Sequence, residues 1–579
     1  MPVMHIIRQG TPELPSGMFY ARAIAQLYLM AGSVHLFGPT EWSLRLPSVL
    51  CGLALIPLAF VYGRRFLRPA WNLGFCAVTA FLPAFIADSQ EARMYVFLLA
   101  SLALYSICLF RWERTDRSAW LAGAVLVMLM ALQFHTLAVF GAFLVFFPGL
   151  LHADERKLLL GAVAFAAIAG GYWLISGWVS SFYPPAPSTH GVSVVAESHL
   201  GSLAVLGWPR ALLAVGALAA TALSGWFASR VSGVAARWSA GGLMFTALMC
   251  ELVLFYHAAV LFMAVAVLIA CRHGRRIMPI LACILAVSAL LALTQLALLH
   301  ASHQYPGRKV FGAMIGMPSI WPMIRMAPYS LFAVGTVAVG GLWAAWRIAR
   351  GGRVADHWLF FLLGVWLPVL LLGLFAWNVE QRYTEFVLFP LFISALSLWQ
   401  DLALTRRAPL AAALGVSALM INPVATARVV NAGYTIHPDH KGAAEFIRSL
   451  HLGPRDILVA EDVNQQTYYL GKVDYWLVSQ DFATQFVELR DGALRDIYTS
   501  TPLIGTGAEL RKLLDRPERG AVYVIGSGEL MENGRREVRG HGISEVLASE
   551  PLRPVYKGRD GLTVVWAAPA RGAVRPATD

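Results

Sequence analysis

The chain has 579 residues, of which 58% are hydrophobic and 14% are charged. Soluble globular domains carry about 25% charged residues, so this composition and a mean hydropathy of +0.60 exclude an ordinary soluble protein and indicate a polytopic membrane protein. The net charge of +12 does not indicate a nucleic-acid partner, because apolar runs separate the cations into short clusters.

These basic clusters occupy alternate loops between the apolar runs. Examples are Arg64-Arg65, Arg156-Lys157 and Arg275-Arg276, whereas the intervening loops hold few cations. This alternation is the positive-inside pattern and predicts which loops are cytoplasmic. All six cysteines lie in or at the ends of apolar runs, so the sequence predicts neither a disulfide framework nor a zinc site.

The N-terminal segment precedes the first long apolar run. Residues 1–18 contain no apolar core of signal-peptide length, so we expect no cleavable signal. Residues 19–36 read as an apolar helix in which Arg22, Gln26 and Ser33 share one narrow face. That pattern favours a helix lying in the membrane interface, with a membrane-spanning helix as the alternative.

Apolar runs of crossing length follow from residue 44. The predicted spans are 44–62, 71–87, 94–110, 118–134, 137–151, 159–176, 207–227, 239–256, 258–271, 277–300, 327–348, 358–377, 384–401 and 409–427. The run over residues 240–271 is read as a hairpin or re-entrant pair that turns near Tyr256-His257, because a single crossing would place one neighbouring basic cluster on the wrong side. The sequence thus predicts 12 to 14 crossings, with both ends of this region external.

The composition changes at about residue 431, where short strand and helix patterns begin to alternate. Strands are predicted at 456–460, 473–478, 521–526 and 562–566, and helices at 439–450 and 508–514. This alternation predicts a small α/β domain outside the membrane. It lacks a dinucleotide fingerprint and a P-loop, so no nucleotide is expected. The predicted organisation is an external segment 1–43, a transmembrane domain 44–430, the α/β domain 431–566 and a disordered tail 567–579.

A polar island, Asp88-Ser89-Gln90-Glu91-Ala92-Arg93-Met94-Tyr95, separates two of the apolar runs. Three ionisable groups at membrane depth are costly and therefore indicate function. The predicted topology places this island on the same side as His135 and Arg382-Tyr383. A carboxylate, Glu91 or Asp88, can accept a proton from an attacking hydroxyl. The candidate binding residues for a donor phosphate or sugar are Arg93, Tyr95, His135, Arg382 and Tyr383.

Each candidate also has a structural alternative. Glu91 and Arg93 can pair with each other at a helix start, His135 can be a helix-end residue, and Arg382-Tyr383 can be an interfacial anchor. The histidines are scattered without metal-ligand spacing. We therefore predict no metal and no other cofactor, and a divalent ion stays open as an alternative.

Two motifs together resemble those of bacterial GT-C glycosyltransferases that use polyprenyl-phosphate sugars, the relatives of protein O-mannosyltransferases, the lipid A aminoarabinose transferase and Rgt-type enzymes. The segment from Gly38 to Ser48 is similar to the family's F-G-x-x-E-x-x-x-R-L-P-S entry to a membrane helix. Ser89 to Tyr95 resembles its S-x-E-A-R-x-Y external loop. His135 and the late Arg382-Tyr383 are weaker matches, and the C-terminal domain resembles the external domain of many members.

The resemblance implies a GT-C fold of about 12 to 14 transmembrane helices in a bacterial inner membrane, with the C-terminal domain on the periplasmic side. It implies inverting transfer of a sugar from a polyprenyl phosphate to a hydroxyl of a lipid, glycan or protein. Family members begin with a further transmembrane helix and an acidic pair before the segment that resembles residues 10–17, and both are expected upstream. A non-catalytic relative or a lipid-glycan transporter is the alternative.

Overall fold

The computed structural model describes residues 2–152, 154–182, 330–349, 355–366, 368–369, 381–402, 408–432, 438–478, 483, 486–527 and 542–570. The chain divides into two units. One comprises Met1–His35, Trp178–Ala196 and Thr435–Asp579, and the other comprises Leu36–Gly177 and Glu197–Tyr434. The N-terminal segment, predicted as a domain of its own over residues 1–43, therefore groups with the α/β domain up to His35. The predicted spans between residues 207 and 300, with Tyr256-His257, lie outside the described residues.

The first unit begins with two helices and continues, after the second unit, into the α/β domain. The helices are α1 (Pro2–Gln9) and α2 (Ile24–Phe37), and later α15 (His440–Ser449), α16 (Val463–Leu470), α17 (Gly507–Leu514) and α18 (Ile543–Leu547). The strands are β1 (Ile457–Ala460), β2 (Tyr475–Leu477), β3 (Val487–Arg490), β4 (Ala493–Asp496), β5 (Leu503–Ile504), β6 (Val522–Ser527), β7 (Arg553–Lys557) and β8 (Thr563–Ala568). The predicted α/β domain is present, and its last strand ends at Ala568 rather than at residue 566.

Six of these strands form one mixed sheet in the order β5-β2-β1-β6-β8-β7. The first four are parallel, and β8 and β7 are antiparallel to their neighbours. Alternate residues of β1 face opposite sides: Val459 packs with α17 and α18, whereas Leu458 and Ala460 pack with α15 and α16. The domain is thus a sheet with helices on both faces, because successive strand residues point in opposite directions.

The N-terminal segment packs directly on this domain. Its chain reverses at an antiparallel bridge between Glu13 and Phe19. The Ser16 backbone N–H donates to the Tyr498 carbonyl oxygen at 3.2 Å, and the ring centroids of Tyr20 and Tyr498 lie 6.5 Å apart. These contacts explain why the two ends of the sequence form one unit.

Asp439 connects the start of helix α15 to the β7–β8 hairpin through hydrogen bonds. Its carboxylate accepts from the Gly442 N–H at 2.9 Å, the Tyr556 hydroxyl at 3.0 Å and the Arg559 N–H at 3.2 Å. Burial favours the neutral acid, but these hydrogen bonds outweigh it and lower the pKa of Asp439 below its ordinary value. The stabilisation is therefore present above the unfolded pKa, about 4, and is lost as the pH falls through the lower folded value.

We expect hydrogen exchange at the start of α15 and in β7–β8 of the full-length protein to accelerate, after correction for intrinsic rates, as the pH falls below about 4. Asp439→Asn should show faster exchange already at neutral pH and a weaker pH dependence, the remainder coming from Asp560, whose pKa is lowered by hydrogen bonds in the same hairpin. Asp491→Asn, in the exposed β3–β4 turn, is the control and should behave as the wild type. Equal exchange in Asp439→Asn and wild type would contradict this role.

The second unit is helical in its described part. Its elements are α3 (Glu41–Gly63), α4 (Pro69–Phe81), α5 (Pro83–Gln90), α6 (Tyr95–Thr115), α7 (Ser118–Phe134), the 3₁₀ helix η1 (Thr136–Phe146), α8 (Phe147–His152), α9 (Glu155–Ser181), α10 (Leu331–Ala349), α11 (Asp356–Phe361), a π-helical turn (Leu362–Trp366), the 3₁₀ helix η2 (Gln381–Val387), α12 (Leu388–Asp401), α13 (Pro409–Ile421) and α14 (Pro423–Ala432). Helix α9 runs into the first unit at its end.

Within the described residues, Glu41–Gly63 and Tyr95–Thr115 are long and apolar enough to cross a membrane. The bent pair α4–α5 is a third if it counts as one span. The predicted continuous span 71–87 is therefore wrong in shape: the chain bends by 48° at Leu82-Pro83. Proline has no N–H and clashes with the preceding turn, so it interrupts a helix.

Two other predicted helices also differ. The predicted span 137–151 is a 3₁₀ helix followed by the short α8. The predicted helix over residues 19–36 begins only at Ile24, so Arg22 precedes it, and Gln26 and Ser33 are buried. Their shared polar face is covered by protein, which helical periodicity alone does not reveal.

Helix α12 runs antiparallel to α4. At one end, the Gln400 side chain accepts from the Arg68 N–H at 3.1 Å and donates to the Phe66 carbonyl oxygen at 2.8 Å. At the other end, the Phe389 ring lies 5.2 Å from Phe75 and 5.7 Å from Phe85, measured between centroids. These contacts set the position of α12 along α4 and place the start of α12 against α5.

Gly52 allows α3 to approach α5. A Cβ atom at Gly52 would collide with the side chain of Ser89, the neighbour of Asp88. We expect Gly52→Ala to displace α5, to cost about 1–3 kcal/mol as an overpacked contact, and to lower the unfolding temperature in lipid nanodiscs. Gly415→Ala, at a position with nothing within 4 Å, is the matched control and should cost little. An unchanged unfolding temperature for Gly52→Ala would contradict close α3–α5 packing.

Candidate active site

The polar island lies where α5 ends and the chain turns into α6. Asp88 is in the last turn of α5 and is buried. Glu91 follows as the C-cap with an extended backbone, and its N–H donates to the Ala87 carbonyl oxygen at 3.0 Å. The polar island is thus a helix end followed by a short turn. Helix α5 continues through Gln90. Asp88 therefore lies within the helix, whereas Glu91 lies just beyond its end.

Glu91 and Arg93 form an ion pair in this turn. The Arg93 Nε lies 3.1 Å from the Glu91 Oε2, and the side chains are 51% and 27% exposed, respectively. An exposed pair contributes little to stability, typically about 0–1 kcal/mol. Both side chains are therefore accessible to a ligand. The ion pair also shows that the structural alternative, in which Glu91 and Arg93 pair with each other, is present.

Tyr95 and His135 lie together beside this turn. Tyr95 begins α6 and is buried, and its ring centroid lies 5.6 Å from that of His135. The His135 Nδ1 accepts from the Leu137 N–H at 3.1 Å, so His135 caps the start of η1. In a neutral ring that accepts at Nδ1, the proton is on Nε2. His135 thus has its structural role as a helix-end residue and also lies next to Tyr95.

Arg382 and Tyr383 lie in η2, and their side chains are outside the described residues. Helix η2 packs against α6 and η1. The rings of Phe386 and Phe140 stack with their centroids 6.2 Å apart. The backbone of η2 is therefore adjacent to the two elements that begin at Tyr95 and at the His135 cap.

Thr384 and Glu385 of η2 were not among the predicted site residues. Thr384 is fully buried, and Glu385 is only 5% exposed. The sequence contains a signal that could have identified Glu385 as a candidate. An ionisable residue at the edge of an apolar run has a high free-energy cost and therefore indicates function. The predicted span 384–401 contains Glu385 but assigns it no role.

A second charged cluster lies at the opposite end of α6. Arg65 Nε and Nη2 donate to the two carboxylate oxygens of Glu113 at 2.8 and 3.0 Å. Asp356 also accepts from Arg65, at 3.1 Å, and His152 Nε2 lies 3.1 Å from Glu113. Glu113 is 18 residues after Tyr95, about 27 Å along α6. This cluster joins the chain just after α3 to α6, α8 and α11 and does not belong to the candidate site.

Among the residues that the structure describes, no group of three or more histidine, cysteine, aspartate or glutamate side chains could hold a metal ion. The described candidate residues instead offer two carboxylates, one accessible guanidinium, a phenol and an imidazole. This set can move a proton and bind an anionic group.

Residues 21–180 match the sequence family of dolichyl-phosphate-mannose-protein mannosyltransferases. This match confirms, for that part of the chain, the resemblance to GT-C glycosyltransferases. The matched residues include Asp88, Glu91, Arg93, Tyr95 and His135.

No curated protein matches the sequence. Two crystal structures are similar at 14% identity, both of ArnT from Cupriavidus metallidurans. The apo structure has a TM-score of 0.36, with 98% of this chain and 91% of that chain covered. The structure bound to undecaprenyl phosphate has a TM-score of 0.35, with 98% and 92% covered.

Proposed function

From the match of residues 21–180 to the family of dolichyl-phosphate-mannose-protein mannosyltransferases, we propose that this chain is an integral membrane glycosyltransferase. It transfers a sugar from a polyprenyl-phosphate donor to a hydroxyl of a lipid, glycan or protein. The reaction inverts the anomeric carbon and takes place at the outer face of a bacterial inner membrane, with the α/β domain on the periplasmic side.

The observation that carries this proposal is the accessible Glu91–Arg93 pair at the α5–α6 turn. A transferase of this class needs a base for the acceptor and a cation for the phosphate that leaves. Of the two candidate carboxylates, Glu91 is accessible and Asp88 is enclosed. Glu91 is therefore the better base, and Asp88 supports the site from within α5.

In the proposed step, the acceptor oxygen bonds to the anomeric carbon as its proton passes to the Glu91 carboxylate. The bond between the anomeric carbon and the phosphate oxygen breaks, and its electron pair stays with the phosphate. Arg93 stabilises the charge that develops there, as a guanidinium can with two parallel N–H donors. Tyr95, His135, Arg382 and Tyr383 are assigned to binding of the donor phosphate and sugar.

The experiment is a comparison of envelope glycans by lipid extraction and mass spectrometry. Cells that lack the protein should lose one sugar from one glycan or lipid and should accumulate its polyprenyl-phosphate donor. The wild-type chain should restore the product, and Glu91→Gln should not. A chain that restores nothing but still binds polyprenyl phosphate would identify the non-catalytic alternative, and unchanged glycans in the deletion strain would refute the transferase.

A further inference from the structure

We propose that the turn between α6 and α7 binds the phosphodiester headgroup of an anionic phospholipid through Arg111, Arg114 and Arg117. The proposed sugar transfer gives these residues no role, and they lie at the end of α6 that is remote from Tyr95. This lipid-binding surface is separate from the candidate active site and does not depend on the reaction.

The three arginines surround the point where the chain leaves a helix of membrane-spanning length. Tyr95–Thr115 is long and apolar enough to cross a membrane, so its end lies at a membrane surface. Asp116 has a left-handed backbone, with a φ of 54°, and ends α6, and Arg117 is the N-cap of α7. Helices α6 and α7 pack against each other, which holds the turn at that surface.

The positive charge of this turn is not compensated by neighbouring carboxylates. All three arginine side chains are exposed, and within the described part of the chain none of them forms an ion pair. The two carboxylates of the same stretch have other partners. Glu113 accepts from Arg65 at 2.8 Å, and Asp116 Oδ1 lies 2.6 Å from Lys157 Nζ. The three guanidinium groups are therefore available to an anion from outside the protein.

The spacing of the arginines brings their side chains to one place, at the depth of lipid headgroups. Arg111 and Arg114 are three residues apart on α6, so they are neighbours on the helix surface. The Trp120 N–H donates to the Arg117 carbonyl oxygen at 3.0 Å, and the Trp120 residue is 38% exposed. Tryptophan is enriched at membrane–water interfaces. An exposed indole in the same turn thus indicates that the arginines lie at the interface.

A phosphodiester fits these groups chemically. A guanidinium can place two parallel N–H donors on a pair of phosphate oxygens. Each arginine near an anionic membrane surface strengthens binding by about fivefold. A zwitterionic phospholipid carries its own cation beside the phosphate and gains less from further cations, so the surface favours a lipid with net negative charge.

The test is lipid retention by the full-length protein, released from nanodiscs of phosphatidylglycerol and phosphatidylethanolamine and measured by native mass spectrometry. The wild type should retain phosphatidylglycerol in preference to phosphatidylethanolamine. A change of any one of the three arginines to glutamine should lower this preference about fivefold, and the triple change about 100-fold. Arg114→Lys should keep most of the preference, because the charge remains.

Arg45→Gln is the matched control. The Arg45 side chain is 53% exposed and lies near the start of α3. The other end of α3 is followed by Arg65, which contacts Glu113 near the end of α6. Arg45 therefore lies towards the opposite membrane surface, and its change should leave the lipid preference at the wild-type value.

An equal lipid preference in the wild type and the triple variant would overturn the proposal, as would an equal loss in Arg45→Gln. Binding of inorganic phosphate in purely zwitterionic nanodiscs, without a preference for phosphatidylglycerol, would identify a site for a soluble anion and would also overturn it. If the triple variant does not fold, the three single variants at exposed positions give the same comparison. Lipid retention is measured without sugar transfer, so failure of the proposed function leaves this test intact.

Discussion

Glu91→Gln is expected to reduce sugar transfer by at least about 100-fold, with the protein still folded in the membrane. A positioned base typically contributes about 10²–10⁴-fold, and the amide keeps the size of the side chain but cannot take the proton. Because binding of the donor phosphate does not require the base, KM for the donor should change little and the loss should fall on kcat. Single-turnover transfer in nanodiscs measures this directly.

Arg93→Ala provides the contrasting result. It removes the cation that pairs with Glu91 at 3.1 Å and is assigned to the phosphate, so both KM for the donor and kcat should suffer. For Glu91→Gln, the matched control is the same change at Glu445, an exposed position on α15. Glu445→Gln should transfer sugar at the wild-type rate. Full activity in both Glu91→Gln and Arg93→Ala would refute the assignment of the site.

Glu113→Ala is expected to destabilise the protein more than any other single change considered. The Glu113 side chain is 6% exposed and takes two hydrogen bonds from Arg65. Removal of Glu113 leaves the enclosed Arg65 with only the half-exposed Asp356 as its carboxylate partner. Loss of one partner of a buried pair typically costs about 3–5 kcal/mol. Glu113 lies near the far end of α6, which begins at the candidate-site residue Tyr95, so activity should fall with the folded fraction. Thermal unfolding in nanodiscs measures the loss.

Asp356→Asn is the matched comparison for this cluster. Asp356 also accepts from Arg65, but its side chain is 49% exposed, and exposed pairs contribute about 0–1 kcal/mol. Its unfolding temperature should therefore stay close to that of the wild type. A double change, Arg65→Met with Glu113→Leu, should recover part of the loss, because no enclosed charge is left without its partner. Equal losses in Asp356→Asn and Glu113→Ala would contradict this account.

The candidate site shows how far sequence reasoning reached. The cost of charge beside hydrocarbon singled out Asp88, Glu91 and Arg93, and the motif around them agrees with the family match over residues 21–180. Glu385 obeys the same rule, but it lies inside an apolar run that predicts a simple span. Periodicity identifies a helix but does not say which of its faces other protein segments cover.

The sequence by itself indicated the apolar helices near residues 44–62, 94–110 and 118–134, four of the strands and two of the helices of the C-terminal domain, and the polar island between α5 and α6. These features follow from local composition, since hydropathy, period and backbone preferences act over a few residues. Only the tertiary structure decided that the N-terminal segment joins the α/β domain and that the start of α12 lies against α5. These features depend on contacts between residues far apart in the chain, such as Ser16 with Tyr498 and Phe85 with Phe389, and such contacts leave no periodic trace in a single sequence.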